Sequence, residues 1–211
     1  MTDRPIIFSG PMVRAILEGR KTMTRRRLLR PTNQFHASYI VPRLEKGEIV
    51  WSDGKGGMER PKEMGYAPGD RLWVRETYCT GYDYDDHDKP IGDEPRVFYA
   101  ATECPRWYDT DTDTWLDSPR WKPSIFMPRS ASRITLIVEA VRVERLQDIS
   151  EEDARAEGIP ADYLEHIHGP NGFRDLWNSL HGPDAWAANP WVAAISFRTI
   201  HANIDAIKEQ P

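Results

Sequence analysis

Cysteine is nearly absent from this sequence. Two residues in 211, Cys79 and Cys104, cannot staple a fold with disulfides and do not have the paired spacing of a zinc site. Both read as inert thiols, since nothing around them marks a nucleophile. No apolar run approaches the ~18 residues that a membrane-crossing helix needs, and mean hydropathy is −0.64. The N-terminal MTDRPIIFSG has neither the basic start nor the long apolar stretch of a signal peptide. A soluble protein of the cytoplasm, with no membrane partner, is the expectation. There is also no phosphate-binding glycine loop, nucleophile elbow or metalloprotease helix. His166 and His168 are spaced to bind a metal from a strand, but the sequence places no third ligand, so surface or core histidines are the simpler reading.

What is present argues for a packed core. Hydrophobic residues make up 39% of the chain and eight are Trp, which excludes a mainly disordered polymer. The formal net charge of −5 conceals an asymmetry. Residues 1–30 hold eight Lys and Arg against Asp3 and Glu18, a net of +6. Residues 81–118 hold eleven acids against Lys89, Arg96 and Arg106, a net of −8. Local potential governs binding, so the acidic mean does not exclude an anionic ligand.

Ile6, Ile7 and Phe8 read as a short buried strand. Ser9 then offers a cap, Pro11 suits a first helical turn, and Met12, Val13, Ile16 and Leu17 recur at helical spacing up to Gly19. Residues 31–67 are rich in Pro and Gly and read as an insertion of loops and a hairpin, with weak strand signals at 39–41 and 48–51. The turn signal at 68–70 feeds an alternating strand that sets Leu72 and Val74 on one face and Arg71, Trp73 and Arg75 on the other. Residues 80–120 read as a second, poorly periodic insertion with a strand signal at 97–100. The strongest strand follows at 134–143, where the buried parity switches near Glu139 and Ala140 and predicts a bulge. Ser150, with Glu151, Glu152 and Asp153 behind it, predicts a short capped helix ended by Gly158. A helix over 173–180 and a strand over 191–200 complete a single α+β domain, 1–211, built on a small curved sheet or barrel.

Two features carry chemistry. Lys21 and Thr24 lie in the densest cationic run. A hydroxyl beside an amine is a nucleophile–base pairing, provided the amine can be neutral. Crowding by Arg20, Arg25 and Arg26 favours that form. Cations just past a helix C-terminus also complement its dipole, and from spacing alone a solvated run is the commoner use. Residues three apart on a regular strand face opposite ways, so a shared site needs a break between Lys21 and Thr24. Glu157 is the second feature, a carboxylate at the unfavourable end of the 151–156 helix. An exposed Glu is the commoner arrangement there, unless a cationic cluster lies beside it. A weaker third set is Arg71, Trp73 and Arg75, with Arg129 and Arg133, whose planes can stack a base or bind phosphate. Alternatively Trp73 is core and the arginines pair with acids.

The segment Gly19-Arg20-Lys21-Thr22-Met23-Thr24-Arg25-Arg26, followed by Pro68-Gly69-Asp70-Arg71-Leu72-Trp73-Val74-Arg75-Glu76, resembles the ASCH domain family, whose fold is a PUA-like β-barrel. The runs at 121–134 and 145–154, and Asn189-Pro190-Trp191, are similar to longer members found in phages and prophages. The resemblance spans about residues 5–200. It implies a PUA-like barrel with short flanking helices and loop-rich insertions at 31–67 and 80–120, which the small members lack. Small bacterial members are N4-acetylcytidine amidohydrolases with a Lys, Thr and Glu catalytic set. Arg26, as an oxyanion donor, and Trp73 and Arg75, as planes to stack or hold the base, are the candidate substrate-binding residues; the resemblance puts the catalytic roles on Lys21, Thr24 and Glu157. It implies a small modified nucleoside as substrate and no metal or organic cofactor. Other members are proposed to bind or cleave RNA, so an RNA- or nucleotide-binding module is the alternative.

Overall fold

The computed structural model describes residues 1–28, 41–45, 48–52, 58–59, 66–85, 87, 89–103, 107–109, 114–116, 118–159 and 169–207. In chain order the elements are β1 (Asp3–Ile7), α1 (Gly10–Leu17), β2 (Met23–Arg27), β3 (Val41–Glu45), β4 (Glu48–Ser52), β5 (Met58–Glu59), β6 (Arg71–Arg75), β7 (Tyr78–Tyr84), β8 (Pro90–Tyr99), β9 (Trp107–Asp109), β10 (Thr114–Leu116), β11 (Thr135–Arg145), α2 (Glu151–Ala156), α3 (Gly169–His181) and β12 (Trp191–Ile200). The fold is mixed α+β and mostly sheet.

Five strands form the main sheet in the order β1-β6-β11-β12-β2. β1 runs parallel to β6, and the other pairs are antiparallel. Leu72 and Val74 of β6 are buried as their alternation predicts. In β11 the register shifts between Val138 and Ala140, where the parity switch predicts a bulge, so that Val138 and Val141 both face inward. The core joins these strands to α1 through Ile6, Phe8, Val13, Ile16, Leu136 and Ile195.

The hydrogen-bond ladder does not close into a barrel among the described residues. The two edge strands nevertheless approach one another. Arg26 of β2 donates from Nη2 to the carbonyl of Ile7 at the end of β1, at 2.7 Å. A side chain spans the gap where a closed barrel would have a backbone ladder.

The first insertion contains the hairpin that its strand signals suggest, extended by a third strand, and the second contains more strand than its composition suggests. β3, β4 and β5 form an antiparallel sheet, and Ile49 and Trp51 join the main core. The signals at residues 39 and 40 lie outside the described residues. β7 and β8 form a long hairpin in place of the expected loops. Residues 90–96 of β8 are exposed, and a strand that buries neither face shows no period-two hydrophobicity.

No helix among the described residues is long and apolar enough to cross a membrane. Cys79 is buried, and burial pushes its thiol up to about 11, away from nucleophilic use. Cys104, His166 and His168 lie outside the described residues.

Candidate active site

Two tight turns bring Lys21 to Glu157. Gly19, at φ +74°, ends α1, and the Lys21 amide donates to the carbonyl of Ala15. Gly158, at φ +87°, ends α2, whose start is capped by the Ser150 hydroxyl accepting from the amide of Asp153 at 3.1 Å. An isolated antiparallel bridge then pairs Lys21 with Glu157. A second apolar cluster, including Leu146, Ala154, Phe173, Trp177 and Val192, packs α2 and α3 onto β12 and holds this corner. Ser150→Ala is therefore expected to cost about 1 kcal/mol through the lost cap. Its thermal midpoint should fall by about 2–4 °C, and an unchanged midpoint would show that the cap contributes nothing.

The Lys21 side chain is wholly buried. Its Nζ donates to Glu157 Oε2 at 2.6 Å and to the Glu157 main-chain carbonyl at 2.9 Å. It also lies 5.7 Å from the centroid of the Phe8 ring. Burial holds the Lys21 ammonium below the usual lysine range; Glu157 opposes this, and Arg26 and Arg25 reinforce it. Desolvation, rather than the expected crowding by arginines, is thus the main cause. Arg20 turns away, to Glu18 and to the carbonyl of Gly158.

The cationic run is divided rather than solvated. Lys21 and Arg25 are buried, Arg26 is half-buried, and Arg20 and Arg27 are exposed. Arg25 answers the question posed by Glu157, because its Nη1 lies 3.3 Å from Glu157 Oε1. The carboxylate at the helix end is accordingly held between two cations.

Thr24, Arg25 and Arg26 from β2, together with Glu157, line a cavity of about 370 Å³. Thr22 joins the Lys21–Glu157 bridge to β2, its amide donating to the carbonyl of Ala156 and its carbonyl accepting from the amide of Phe197; Lys21 itself is not among the described residues lining this cavity. The Thr24 hydroxyl has no hydrogen-bond partner among the described residues, and neither have two N–H groups of residues on the wall, Arg26 Nε and Trp177 Nε1. Burial holds the Arg26 guanidinium below the usual arginine range.

The apolar wall consists of Phe8 and Met12 with Phe173, Trp177 and Leu180 of α3. His181 completes it, its ring centroid 4.2 Å from that of Trp177. Burial, with Arg26 and Arg27, lowers its basicity. Phe173, Trp177 and His181 recur at intervals of four, a one-face signal that the expected helix over 173–180 cuts short of His181. A second cavity, of about 550 Å³, shares Met12, Glu157 and Leu176 with the first, so Glu157 lies between the two.

Trp73 and Arg75 stand apart from this group. Neither is among the described residues lining the cavity. The Arg75 guanidinium lies 5.3 Å from the centroid of the Trp73 ring and donates to the carbonyl of Ile125, beside the wall residue Ser124. The other arginines of that set pair with acids, Arg71 and Arg129 with Asp3 and Arg133 with buried Glu76.

No family model matches the chain, and no curated protein sequence matches it. The chain is similar to the crystal structure of protein EF3133 from Enterococcus faecalis V583, of family DUF984, at 12% identity and a TM-score of 0.35, covering 99% of this chain and 86% of that one.

Proposed function

We propose that this protein is an amidohydrolase that removes the acyl group from N4-acylated cytosine nucleosides. One observation carries the reading: a wholly buried Lys21 amine held by Glu157, with Glu157 and the unpartnered Thr24 hydroxyl on the wall of one cavity. The side-chain bond from Arg26 to Ile7, between the two edge strands of the main sheet, is in keeping with the PUA-like architecture that the ASCH resemblance implies.

A neutral amine has two N–H bonds and one lone pair. Both N–H bonds of Lys21 have acceptors on Glu157, which leaves the lone pair for a proton from elsewhere. In the proposed reaction the Thr24 hydroxyl oxygen bonds to the acyl carbon and its proton passes to Lys21. The tetrahedral intermediate then expels the cytosine exocyclic nitrogen, which takes that proton and leaves as the free amine. Water attacks the Thr24 ester with Lys21 again accepting a proton; the bond from the acyl carbon to the Thr24 oxygen then breaks, that oxygen takes the proton back from Lys21, and the carboxylic acid departs. The unpartnered Arg26 Nε is a donor for the oxyanion. Aromatic side chains from Phe8 and α3 suit a flat pyrimidine. Arg75 would act through Ile125, the neighbour of the wall residue Ser124, with the Trp73 ring centroid 5.3 Å from its guanidinium.

The test is release of cytidine and acetate from N4-acetylcytidine by the purified protein; no release above the uncatalysed rate overturns the reading. Because the base must be neutral, kcat/KM should rise with pH through the depressed Lys21 value and then level off. A flat profile would remove Lys21 from the role of base. An RNA-binding module predicts instead oligonucleotide affinity that falls steeply with salt. Burial of Lys21 and Arg25 takes two cations away from such a surface.

A further inference from the structure

Arg25 makes contacts that neither core packing nor the proposed chemistry requires. Its side chain is fully buried and touches three carboxylates from two elements and a helix end. Nη2 lies 2.7 Å from Glu144 Oε1 of β11 and 2.6 Å from Asp153 Oδ2 of α2, while Nε donates to Glu144 Oε1 at 3.1 Å. Nη1 reaches Glu157 Oε1 at 3.3 Å, and Glu157 Oε2 holds Lys21. The Arg25 guanidinium also lies 5.7 Å from the centroid of the ring of Phe173, a residue of the cavity wall.

We propose that Arg25 is a positioning residue that divides the Glu157 carboxylate: it takes one oxygen, aims the other at Lys21, and offsets the negative charge that would otherwise keep Lys21 an ammonium. Glu144 and Asp153 set the strength of this effect, because they compete with Glu157 for the same guanidinium. The proposal rests on Lys21 acting as the base.

The charged groups around the pair are few. Arg25 and Arg26 face it from β2, and Asp153 from α2. Arg142 of β11 donates to Asp153 and lies 3.4 Å from Glu144. His181 of α3 lines the Thr24 cavity. Arg14, Glu18, Arg20 and Asp175 line the cavity behind Glu157. Among these, Arg25 is the cation bonded to the Glu157 carboxylate besides Lys21.

Two substitutions should act in opposite directions. Arg25→Met leaves the full Glu157 charge, and those of Glu144 and Asp153, to favour the ammonium. The acid limb of kcat/KM should then move up by roughly one pH unit, a fall of about tenfold on that limb. Arg25→Lys, which keeps the charge, should restore most of the shift. Glu144→Gln removes a competing acceptor from a partly exposed position, and the limb should move down. A merely structural role lowers kcat or stability in both variants with the limb unmoved, and that result overturns the proposal.

Titration of the Lys21 side chain by NMR, on protein carrying isotope-labelled lysine and assigned with Lys21→Met, gives the same readout without turnover. If the wild type does not hydrolyse N4-acetylcytidine, the amidohydrolase reading fails. Opposite shifts of the Lys21 titration in Arg25→Met and Glu144→Gln would still uphold the charge division, and unshifted titrations would overturn it. Should Arg25→Met not fold, Glu144→Gln alone decides: a downward shift supports the proposal and no shift overturns it.

Discussion

Thr24→Val is expected to lower hydrolysis of N4-acetylcytidine by about 10³-fold or more while leaving the thermal midpoint nearly unchanged. The two halves of this result have separate origins. Thr24 is 3% exposed on β2, and its hydroxyl has no partner among the described residues. Replacing the hydroxyl with a methyl group breaks no hydrogen bond and strands no donor or acceptor. The nucleophile of the first step of the proposed reaction is nevertheless gone. Lys21→Met makes the informative contrast. It removes the base, with a loss of about 10²–10⁴-fold. It also leaves Glu157 Oε2 buried without its 2.6 Å donor. Arg25 still holds the other oxygen, so the stability loss should be about 3 kcal/mol, at the lower end for a broken buried pair. A Thr24→Val protein that turns over N4-acetylcytidine at the wild-type rate would remove Thr24 from the chemistry. Equal stability losses in both variants would contradict the hydrogen-bond assignment.

Gly158→Ala should be among the most damaging single-methyl changes at this site. At φ +87° an L side chain is strained. The added Cβ would also lie 2.8 Å from Lys21 Cβ and 2.9 Å from Ala15 Cβ. Both contacts are to atoms fixed to the backbone, so no rotamer change relieves them. The Lys21 turn must move away from α2, lengthening the bridge to Glu157. Strain and overpacking together are expected to cost about 2–4 kcal/mol, with the midpoint lower by about 5–15 °C. Activity should fall further than partial unfolding explains, because the Lys21 amine is displaced. Gly19→Ala is the control, since its Cβ would meet nothing within 4 Å at a similar φ of +74°. If the two variants are equally stable and equally active, close packing at Gly158 does not matter to the site.

Elements with one buried face could be read before any contact was known. Met12, Val13, Ile16 and Leu17 mark α1, Leu72 and Val74 mark β6, and the parity switch after Val138 marks the bulge. Each is a local consequence of which side chains must leave water. The β7–β8 hairpin was not legible for the same reason: residues 90–96 bury no face and carry no period. The partners of Arg25 were equally hidden, since Glu144, Asp153 and Glu157 lie 119 to 132 residues away in sequence.

The sequence by itself determined which groups could do chemistry: an amine and a hydroxyl three residues apart, and a carboxylate at the wrong end of a short helix. Only the tertiary structure decided that Lys21 is buried, that Glu157 meets it at 2.6 Å, and that the aromatic face of α3 closes the cavity beside Thr24. Residue identity sets an intrinsic acidity and a hydrogen-bonding capacity. The desolvation that holds the Lys21 ammonium below its usual range, and the Glu157 charge that opposes it, arise from neighbours that are far apart along the chain.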